Sequence, residues 1–343
     1  MPSRNNLAII AAAGSRKTEQ IVDAALAMPE KRVLITTYTS ENQRHIVERI
    51  QAKNDGTVPA HISIMGWFTF LVNECARPYQ NAITGRVGHM QSLNFVGSHH
   101  RGAKKTSLPY FFDAGGDIFR NGVSDFACCA NKASGGSVIR RLEAIYDEIF
   151  VDEVQDLVGY DLDLLDLLFD SSIGVIVVGD PRQHTFATNT GPRNKKYRKE
   201  GILDWFKERE SKCAVEPRVE SYRCNQVICD FADQLFPGMP KTTSRNNDST
   251  GHDGVFLIPR SDVHSYVATY CPTILRENKS TNTEGLAAIN IGVSKGSTYD
   301  RVLVFPSRTA IRYLKDHDVA AFNSRERLYV AVTRARFSAT FVE

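Results

Sequence analysis

Residues 7–20 read LAIIAAAGSRKTEQ, an apolar run that leads through a glycine-containing turn into a helix-forming segment. The apolar part predicts a buried strand, and the segment TEQIVDAALAM that begins at Thr18 predicts a helix. The phosphate-binding loop pattern is G-x-x-x-x-G-K-[ST], and Lys17 and Thr18 occupy its last two positions. Ala11 and Arg16 stand where the pattern has glycine. The stretch thus predicts a strand, a phosphate-binding loop and a helix.

Composition is that of an ordinary globular protein. The chain has 343 residues, 42% of them hydrophobic and 24% charged, which allows two domains of usual size. The net charge of +3 excludes a polycation, so a nucleic-acid surface would be a local patch. The sequence shows no long apolar run and no secretory leader, so we expect no membrane association. Seven cysteines without framework spacing favour free thiols and a cytoplasmic location.

Strands and helices alternate along the chain. The runs 33–38, 61–65, 147–153 and 174–180 are short and mostly apolar, and the last two end in carboxylates. Such strands, separated by helices, indicate an α/β fold with a parallel sheet covered on both faces. Ligands of such sheets bind at the carboxyl ends of the strands, where Lys17, Asp152 and Asp180 fall.

Domain organisation follows from the composition along the chain. A second α/β set begins near residue 217, with predicted strands at 254–259, 287–291 and 301–306 and a predicted helix over 325–336. Residues 80–137 are rich in Gly, Ser, His and Asn and show weak periodicity. We therefore predict a first domain of residues 1–79 and 138–216, an inserted subdomain of 80–137 and a second domain of 217–343.

Hydrolysis of a nucleoside triphosphate needs groups that hold phosphates, groups that hold magnesium, and a base or water-orienting group. The sequence offers candidates for each. The phosphates would be held by Ala13, Gly14, Ser15, Arg16, Lys17 and Thr18. Thr18 and Asp152 would bind Mg²⁺, and Glu153 would position or deprotonate the water. Taken alone, GSRKT also suits an ordinary loop, and a strand that ends in Asp-Glu also suits solvated charge.

The order of further motifs distinguishes these alternatives. The chain contains DEVQD (152–156), VGDPRQ (178–183), SYR (221–223), SKGSTYDRVLV (294–304) and LYVAVTRAR (328–336). This series resembles the UvrD/Rep-like superfamily 1 DNA helicases over nearly the whole chain. The resemblance implies two RecA-like domains with ATP between them, with Gln183 sensing the terminal phosphate and with Arg223 and Arg334 reaching it. Without the other motifs, Arg334 would suit a surface arginine at a helix C-terminus.

Departures from that family concern the nucleotide. Members commonly have alanine where Ala11 stands, whereas Arg16 replaces a glycine. Arg16 can serve in the loop if its backbone angles stay in the helical region and its side chain points outward. No glutamine precedes the loop to read adenine, and Thr298 stands where the family has glutamate. ATP is therefore the expected nucleotide, with GTP as an open alternative.

Nucleic-acid contacts are implied by two segments. TTYTSEN (36–42) resembles a segment that touches single-stranded DNA, with Tyr38 to stack on a base and Thr39 and Asn42 to hold phosphates. GWFTF (66–70) resembles a second, with Trp67 or Phe68 as stacking groups; core packing suits these two residues equally well.

Two further features bear on nucleic-acid binding. HTFATN (184–189) retains an aromatic residue at Phe186 but has Thr188 where the family has another. PRNKKYRK (192–199) is a basic run that indicates either a solvated surface or phosphate contacts by Lys195, Lys196 and Arg198.

The sequence therefore predicts an ATP- and Mg²⁺-dependent single-stranded DNA translocase or helicase, and the family resemblance implies movement from 3′ to 5′. The large insertion of the family's second domain does not fit between Cys229 and Asn290, so the chain resembles a minimal motor that could use a protein partner such as a nuclease. The alternative is a nucleotide-binding regulatory switch with weak or no unwinding.

Overall fold

The structure is a computed structural model that describes residues 6–84, 90–98, 102–317, 322 and 324–343. The chain divides into two compact units. Met1–Ile10, Lys17–Gly179 and Phe186–Glu216 belong to the first, and Ala11–Arg16, Asp180–Thr185 and Pro217–Glu343 to the second. The phosphate-binding loop and the residues after strand 174–179 therefore group with the carboxyl-terminal part of the chain.

The elements up to residue 218 alternate as predicted. In chain order they are β1 (Leu7–Ala11), α1 (Lys17–Leu26), β2 (Val33–Thr37), α2 (Ser40–Lys53), β3 (Ile62–Gly66), α3 (Trp67–Phe70), α4 (Asn81–Thr84), β4 (Leu93–Asn94), α5 (Leu108–Phe111), β5 (Ile118–Phe119), α6 (Val123–Ala133), α7 (Ser137–Ile145), β6 (Glu148–Asp152), α8 (Tyr160–Phe169), β7 (Gly174–Gly179), α9 (Ile202–Lys207) and β8 (Ala214–Arg218). A π-helical turn, Leu71–Ala76, extends α3.

Six of these strands form one sheet in the order β3-β2-β6-β7-β1-β8. The pairs β2–β3, β2–β6, β6–β7 and β1–β7 are parallel. Every residue of β2 and β6 is buried, because helices cover both faces of the central strands. The short parallel pair β4–β5 lies in the predicted insertion, and Phe111 and Phe126 from that region join the same hydrophobic core as Ile149.

The elements after residue 218 form the second α/β set. They are β9 (Glu220–Ser221), α10 (Gln226–Gln234), β10 (Thr243–Ser244), β11 (Gly254–Ile258), α11 (Val263–Tyr270), β12 (Thr273–Arg276), β13 (Ile289–Asn290), β14 (Tyr299–Phe305), α12 (Arg308–Asp316), α13 (Arg325–Val332) and β15 (Ala335–Val342). Five strands form a parallel sheet in the order β11-β15-β14-β12-β13.

The α/β fold with two RecA-like parallel sheets and a small insertion in the first part is therefore confirmed. One prediction about its elements is wrong. The helix predicted over 325–336 ends at Val332, and residues 335–342 form β15 in the interior of the sheet. In the part of the chain that the structure describes, no helix has the length and hydrophobicity needed to cross a bilayer.

Candidate nucleotide and nucleic-acid sites

The predicted phosphate-binding loop connects β1 to α1, and α1 begins at Lys17. Backbone hydrogen bonds tie the loop to neighbouring chain: the Ala12 N–H donates to the Arg218 carbonyl at 2.8 Å, and the Tyr222 N–H donates to the Gly14 carbonyl at 2.9 Å. The buried hydroxyl of Ser15 has no hydrogen-bond partner among the described residues. A buried polar atom of this kind suits a ligand with acceptor oxygens, such as a phosphate.

The backbone of Arg16 does not meet the condition that the sequence analysis set for it. Its φ is +62°, outside the right-handed helical region and in the left-handed region that favours glycine. This conformation costs a non-glycine residue about 1–2 kcal/mol. The Arg16 guanidinium lies 4.3 Å from the ring centre of Tyr222, a cation–π contact that offsets part of that cost.

Thr18 and Asp152 are brought together as predicted. The Thr18 hydroxyl donates to Asp152 Oδ2 at 2.9 Å, since the start of α1 and the end of β6 lie at the same edge of a parallel sheet. Burial and the neighbouring Glu153 raise the pKa of Asp152 from 3.8 to about 6, against the opposing effects of Lys17 and Thr18. A buried carboxylate in this state is suited to a cation that would compensate its charge.

Thr18 and Asp152 fit a magnesium site that is completed by the phosphates of a nucleotide. Within the described ranges, no group of three or more His, Cys, Asp or Glu side chains is placed to hold a metal. Mg²⁺ commonly binds through one or two carboxylates together with substrate phosphates. Thr18 and Asp152 are therefore suited to a magnesium ion that arrives with a nucleotide.

Glu153 adopts a strained conformation that the sequence did not predict. Its φ is +60°, and its side chain is buried. Gln155 Nε2 donates to Glu153 Oε2 at 2.6 Å, and the Glu153 N–H donates to Asp152 Oδ1 at 2.9 Å. Gly179 makes room for Gln155, because a Cβ at that position would lie 2.3 Å from Gln155 Oε1. Left-handed backbone at a non-glycine residue is typical of functional sites whose surroundings hold it in place.

Gln183 and Arg334 are in direct contact. Arg334 Nη2 donates to Gln183 Oε1 at 3.1 Å, and Gln183 Nε2 donates to Asp180 Oδ2 at 3.0 Å. Arg334 is 1% exposed, so the alternative of a surface arginine is wrong. The guanidinium folds back beside α13 and donates from Nε to the Val330 carbonyl at 3.1 Å.

Tyr329 is a functional candidate that the sequence analysis missed, although it lies inside the quoted LYVAVTRAR. Its hydroxyl donates to Asp180 Oδ2 at 3.1 Å and accepts from the Ala13 N–H at 3.3 Å. Tyr329 therefore links the phosphate-binding loop to the residue that holds Gln183. Arg223, also in the second unit, donates from Nη1 to the Thr333 carbonyl at 3.0 Å.

Four aromatic side chains form a row in the first unit, here called the aromatic row: Phe186, Tyr38, Phe68 and Phe95. Neighbouring ring centres are 6.1, 5.8 and 6.0 Å apart in that order. Phe95 is 61% exposed and Phe186 is 36% exposed. Exposed aromatic faces at this spacing are suited to stacking with unpaired bases. The sequence analysis named Tyr38, Phe68 and Phe186 but missed Phe95, which lies in the weakly periodic insertion.

Trp67 is not part of this row. It is 1% exposed, and its Nε1 donates to Asp161 Oδ1 at 2.8 Å. Its predicted role as a base-stacking group is therefore wrong, because neither face of the indole can reach a strand. The alternative of core packing holds for Trp67, whereas Phe68 is only partly buried.

Thr39 and Asn42 form the start of α2. Thr39 is its N-cap: the Asn42 N–H donates to Thr39 Oγ1 at 3.1 Å. The Asn42 side chain is buried, and its Nδ2 donates to Thr37 Oγ1 at 3.5 Å. Both side chains thus stabilise the helix that follows Tyr38, and their contacts with nucleic acid stay a prediction.

The basic run contains cations in different settings. Lys195 and Lys196 are exposed, and Lys196 pairs with Glu208 at 3.3 Å. Arg198 is half-buried and donates to the backbone carbonyls of Asn189 and Gly191. Phosphate contacts by Lys195, Lys196 and Arg198 stay a prediction, which the exposure favours for the two lysines.

Comparison with known proteins identifies the family. The sequence model of the viral superfamily 1 RNA helicase core domain matches residues 138–343. A comparison with curated proteins finds no match.

Two solved structures of an arterivirus helicase share the fold. The chain is 15% identical to arterivirus nonstructural protein 10 (helicase), with a TM-score of 0.50 over 98% of this chain and 59% of that one. The complex of that helicase with DNA gives a TM-score of 0.52 at 15% identity, over 99% of this chain and 61% of that one. The chain thus spans about three fifths of the length of these solved structures.

The matched region includes Asp152, Glu153, Gln183, Arg223 and Arg334, which carry the described geometry. It covers more than half of the chain. The chain belongs to the family of viral superfamily 1 RNA helicase core domains.

Proposed function

We propose that the chain is a nucleoside-triphosphate-driven motor that moves on single-stranded nucleic acid. The observation that carries the proposal is the arrangement of Thr18, Asp152 and Glu153, in which a hydroxyl meets a buried carboxylate beside a strained, hydrogen-bonded glutamate. Two buried carboxyl groups side by side disfavour each other's charged form, so their arrangement favours a catalytic role over a stabilising one.

Each residue has a role in this proposal. Lys17 and Ser15 would bind phosphate oxygens, and Thr18 and Asp152 would hold magnesium, which when bound neutralises phosphate charge. Glu153 would accept a proton from the attacking water or orient it, with Gln155 fixing its carboxylate by the 2.6 Å hydrogen bond. Gln183, Arg223 and Arg334 are proposed to act on the terminal phosphate, which rests on the motif resemblance. ATP is the proposed nucleotide, and GTP stays an alternative.

The strand would lie along the aromatic row. Stacking between aromatic rings and bases tolerates any sequence, because every base has a π-face, and it contributes about 1–3 kcal/mol per base. The family description names RNA helicases, and the related arterivirus helicase was solved with DNA. We propose single-stranded DNA as the substrate, as the motifs predicted, with single-stranded RNA as the alternative.

The finer points of the sequence prediction remain proposals. These are the UvrD/Rep-like type, movement from 3′ to 5′, a cytoplasmic location, a partner such as a nuclease, and the domain boundaries at residues 79/80, 137/138 and 216/217. The alternative function is a nucleotide-binding switch that regulates another protein.

Displacement of streptavidin from biotinylated oligonucleotides tests the motor. The proposal predicts ATP-dependent displacement from the 5′ end of a single strand, and none with Glu153→Gln. Displacement only from the 3′ end would contradict the proposed direction. Nucleotide-dependent strand binding without displacement from either end would contradict the motor and favour the switch.

A further inference from the structure

A buried carboxylate in α8 accepts hydrogen bonds from three distant segments. Asp161 is 1% exposed, and its Oδ1 accepts from Trp67 Nε1 at 2.8 Å and from the Ser124 hydroxyl. Its Oδ2 accepts from the Thr188 hydroxyl. Burial raises the pKa of Asp161, and these three hydrogen bonds oppose the rise. A buried charge that is fully hydrogen-bonded holds its partners in one arrangement.

Two of the donors are next to residues of the aromatic row. Trp67 directly precedes Phe68, and Thr188 follows Phe186 by two residues. Ser124 lies at the start of α6 in the insertion, the region that also contributes Phe95. Asp161 therefore connects segments that carry three of the four rings.

Thr188 also contacts the segment that follows the catalytic candidates. Its N–H donates to the Asp156 carbonyl at 3.0 Å, and its hydroxyl oxygen accepts from the Val158 N–H at 3.1 Å. The Asp156 N–H in turn donates to the Glu153 carbonyl at 2.9 Å. A continuous path of bonds thus runs from Phe186 through Thr188 and Asp156 to the strained backbone of Glu153.

We propose that Asp161 and Thr188 are positioning residues that couple strand binding on the aromatic row to the alignment of Glu153. The proposal rests on the proposed function, because it needs both a strand and hydrolysis. A left-handed glutamate persists only where its surroundings hold it, and Thr188 bonds two residues of the turn that does so. A base that enters the row contacts Phe68 and Phe186, whose neighbours Trp67 and Thr188 are both bonded to Asp161. A displacement of Trp67 and Thr188 changes the hydrogen bonds that hold the turn after Glu153.

The hydroxyl of Thr188 offers a matched pair of variants. Thr188→Val keeps the shape of the side chain and removes the hydroxyl, whereas Thr188→Ser keeps the hydroxyl. Phosphate release is measured without strand and at saturating single-stranded DNA and RNA, strand affinity is measured separately, and urea unfolding reports stability. We expect the valine variant to lower the stimulated-to-basal ratio by about 2- to 30-fold, the range for residues that carry coupling between sites. Its basal rate and strand affinity should stay close to wild type, and the serine variant should retain the ratio.

Trp67→Phe provides a second variant if the valine variant unfolds. It removes the indole N–H that donates to Asp161 together with part of the ring volume, and Trp205→Phe at another buried tryptophan controls for the lost volume. Trp67→Phe should lower the ratio, and Trp205→Phe should not.

The outcomes separate the two proposals. If single strands stimulate phosphate release equally in the wild type, Thr188→Val and Trp67→Phe, the coupling role is overturned and the proposed function is not. Equal losses of basal and stimulated rates also overturn it, since they indicate a purely structural role. A wild type that no strand stimulates overturns the proposed function, and the coupling role with it.

Discussion

Replacement of Gly14 by alanine tests how the phosphate-binding loop is held. Gly14 has φ +79°, and a Cβ built there would lie 2.6 Å from Ser221 Oγ and 2.8 Å from Arg223 Cβ. Favourable contacts between carbon atoms lie at about 3.5–4.0 Å. The hydroxyl of Ser221 can rotate away, but Arg223 Cβ is fixed by the backbone. The alanine variant must therefore shift the loop or the segment beside it.

Three contributions set the size of the effect. Left-handed backbone costs alanine about 1–2 kcal/mol. Overpacking in a filled site costs about 1–3 kcal/mol. The lower entropy of the unfolded alanine chain offsets about 0.4–1 kcal/mol. Together they predict that Gly14→Ala lowers the free energy of unfolding by about 1–5 kcal/mol.

Gly251 in the same unit is a matched control. Its φ is +80°, and a Cβ there would have no described heavy atom within 4 Å outside its chain neighbours. Gly251→Ala therefore changes only the backbone and entropy contributions. Urea unfolding with unchanged slopes should show Gly14→Ala to be less stable than Gly251→Ala by about 1–3 kcal/mol. Equal free energies of unfolding for the two variants would refute the described packing of the loop.

Four further predictions concern single side chains. Lys17→Ala should lose binding of a fluorescent nucleotide, while Glu153→Gln should bind it and hardly hydrolyse ATP; wild-type turnover by Glu153→Gln would refute its role. Arg16→Gly should retain or raise phosphate release, because glycine adopts φ +62° without strain; a collapse of activity would identify Arg16 as a phosphate ligand. The pKa of Asp152 is raised to about 6 in the folded protein. Protonated Asp152 therefore contributes to the free energy of unfolding at a pH below the pKa of the unfolded chain, and this contribution is lost as the pH rises through about 6. Asp152→Asn should therefore stabilise the nucleotide-free protein at pH 7.5 relative to pH 4 in urea unfolding, and an equal effect at both pH values would contradict this. Tyr38→Ala should weaken binding to single strands by about 1–3 kcal/mol in fluorescence titrations without changing the salt dependence, and unchanged affinity would remove Tyr38 from the strand site.

Part of the site follows from the sequence because it depends on chain direction. The carboxyl ends of parallel strands meet at one edge, so Thr18 and Asp152 could be placed together before any coordinates. The conformation of Arg16 could not, because left-handed backbone at a non-glycine residue is uncommon and depends on surrounding contacts. The burial of Trp67 could not be predicted either, because it depends on contacts that are distant in sequence. Its partner Asp161 is 94 residues away, and no local pattern indicates that pairing.

The errors in the second sheet also have a physical cause. β15 follows α13 after only two residues, and the apolar positions of 325–336 suit a continuous helix. The hydrogen bonds of β15 to β11 and β14 decide its conformation, and these strands are distant in sequence. Tertiary pairing here overrides local preference.

The stimulation of hydrolysis by nucleic acid tests the central claim most directly. Phosphate release should be measured with no strand, with single-stranded DNA, with single-stranded RNA and with blunt duplex of the same length, using Glu153→Gln as the baseline. A strand-driven motor predicts that single strands stimulate release more than blunt duplex does, because the aromatic row needs exposed base faces. The account would be contradicted by equal rates with single strand and blunt duplex, or by no release above the Glu153→Gln baseline.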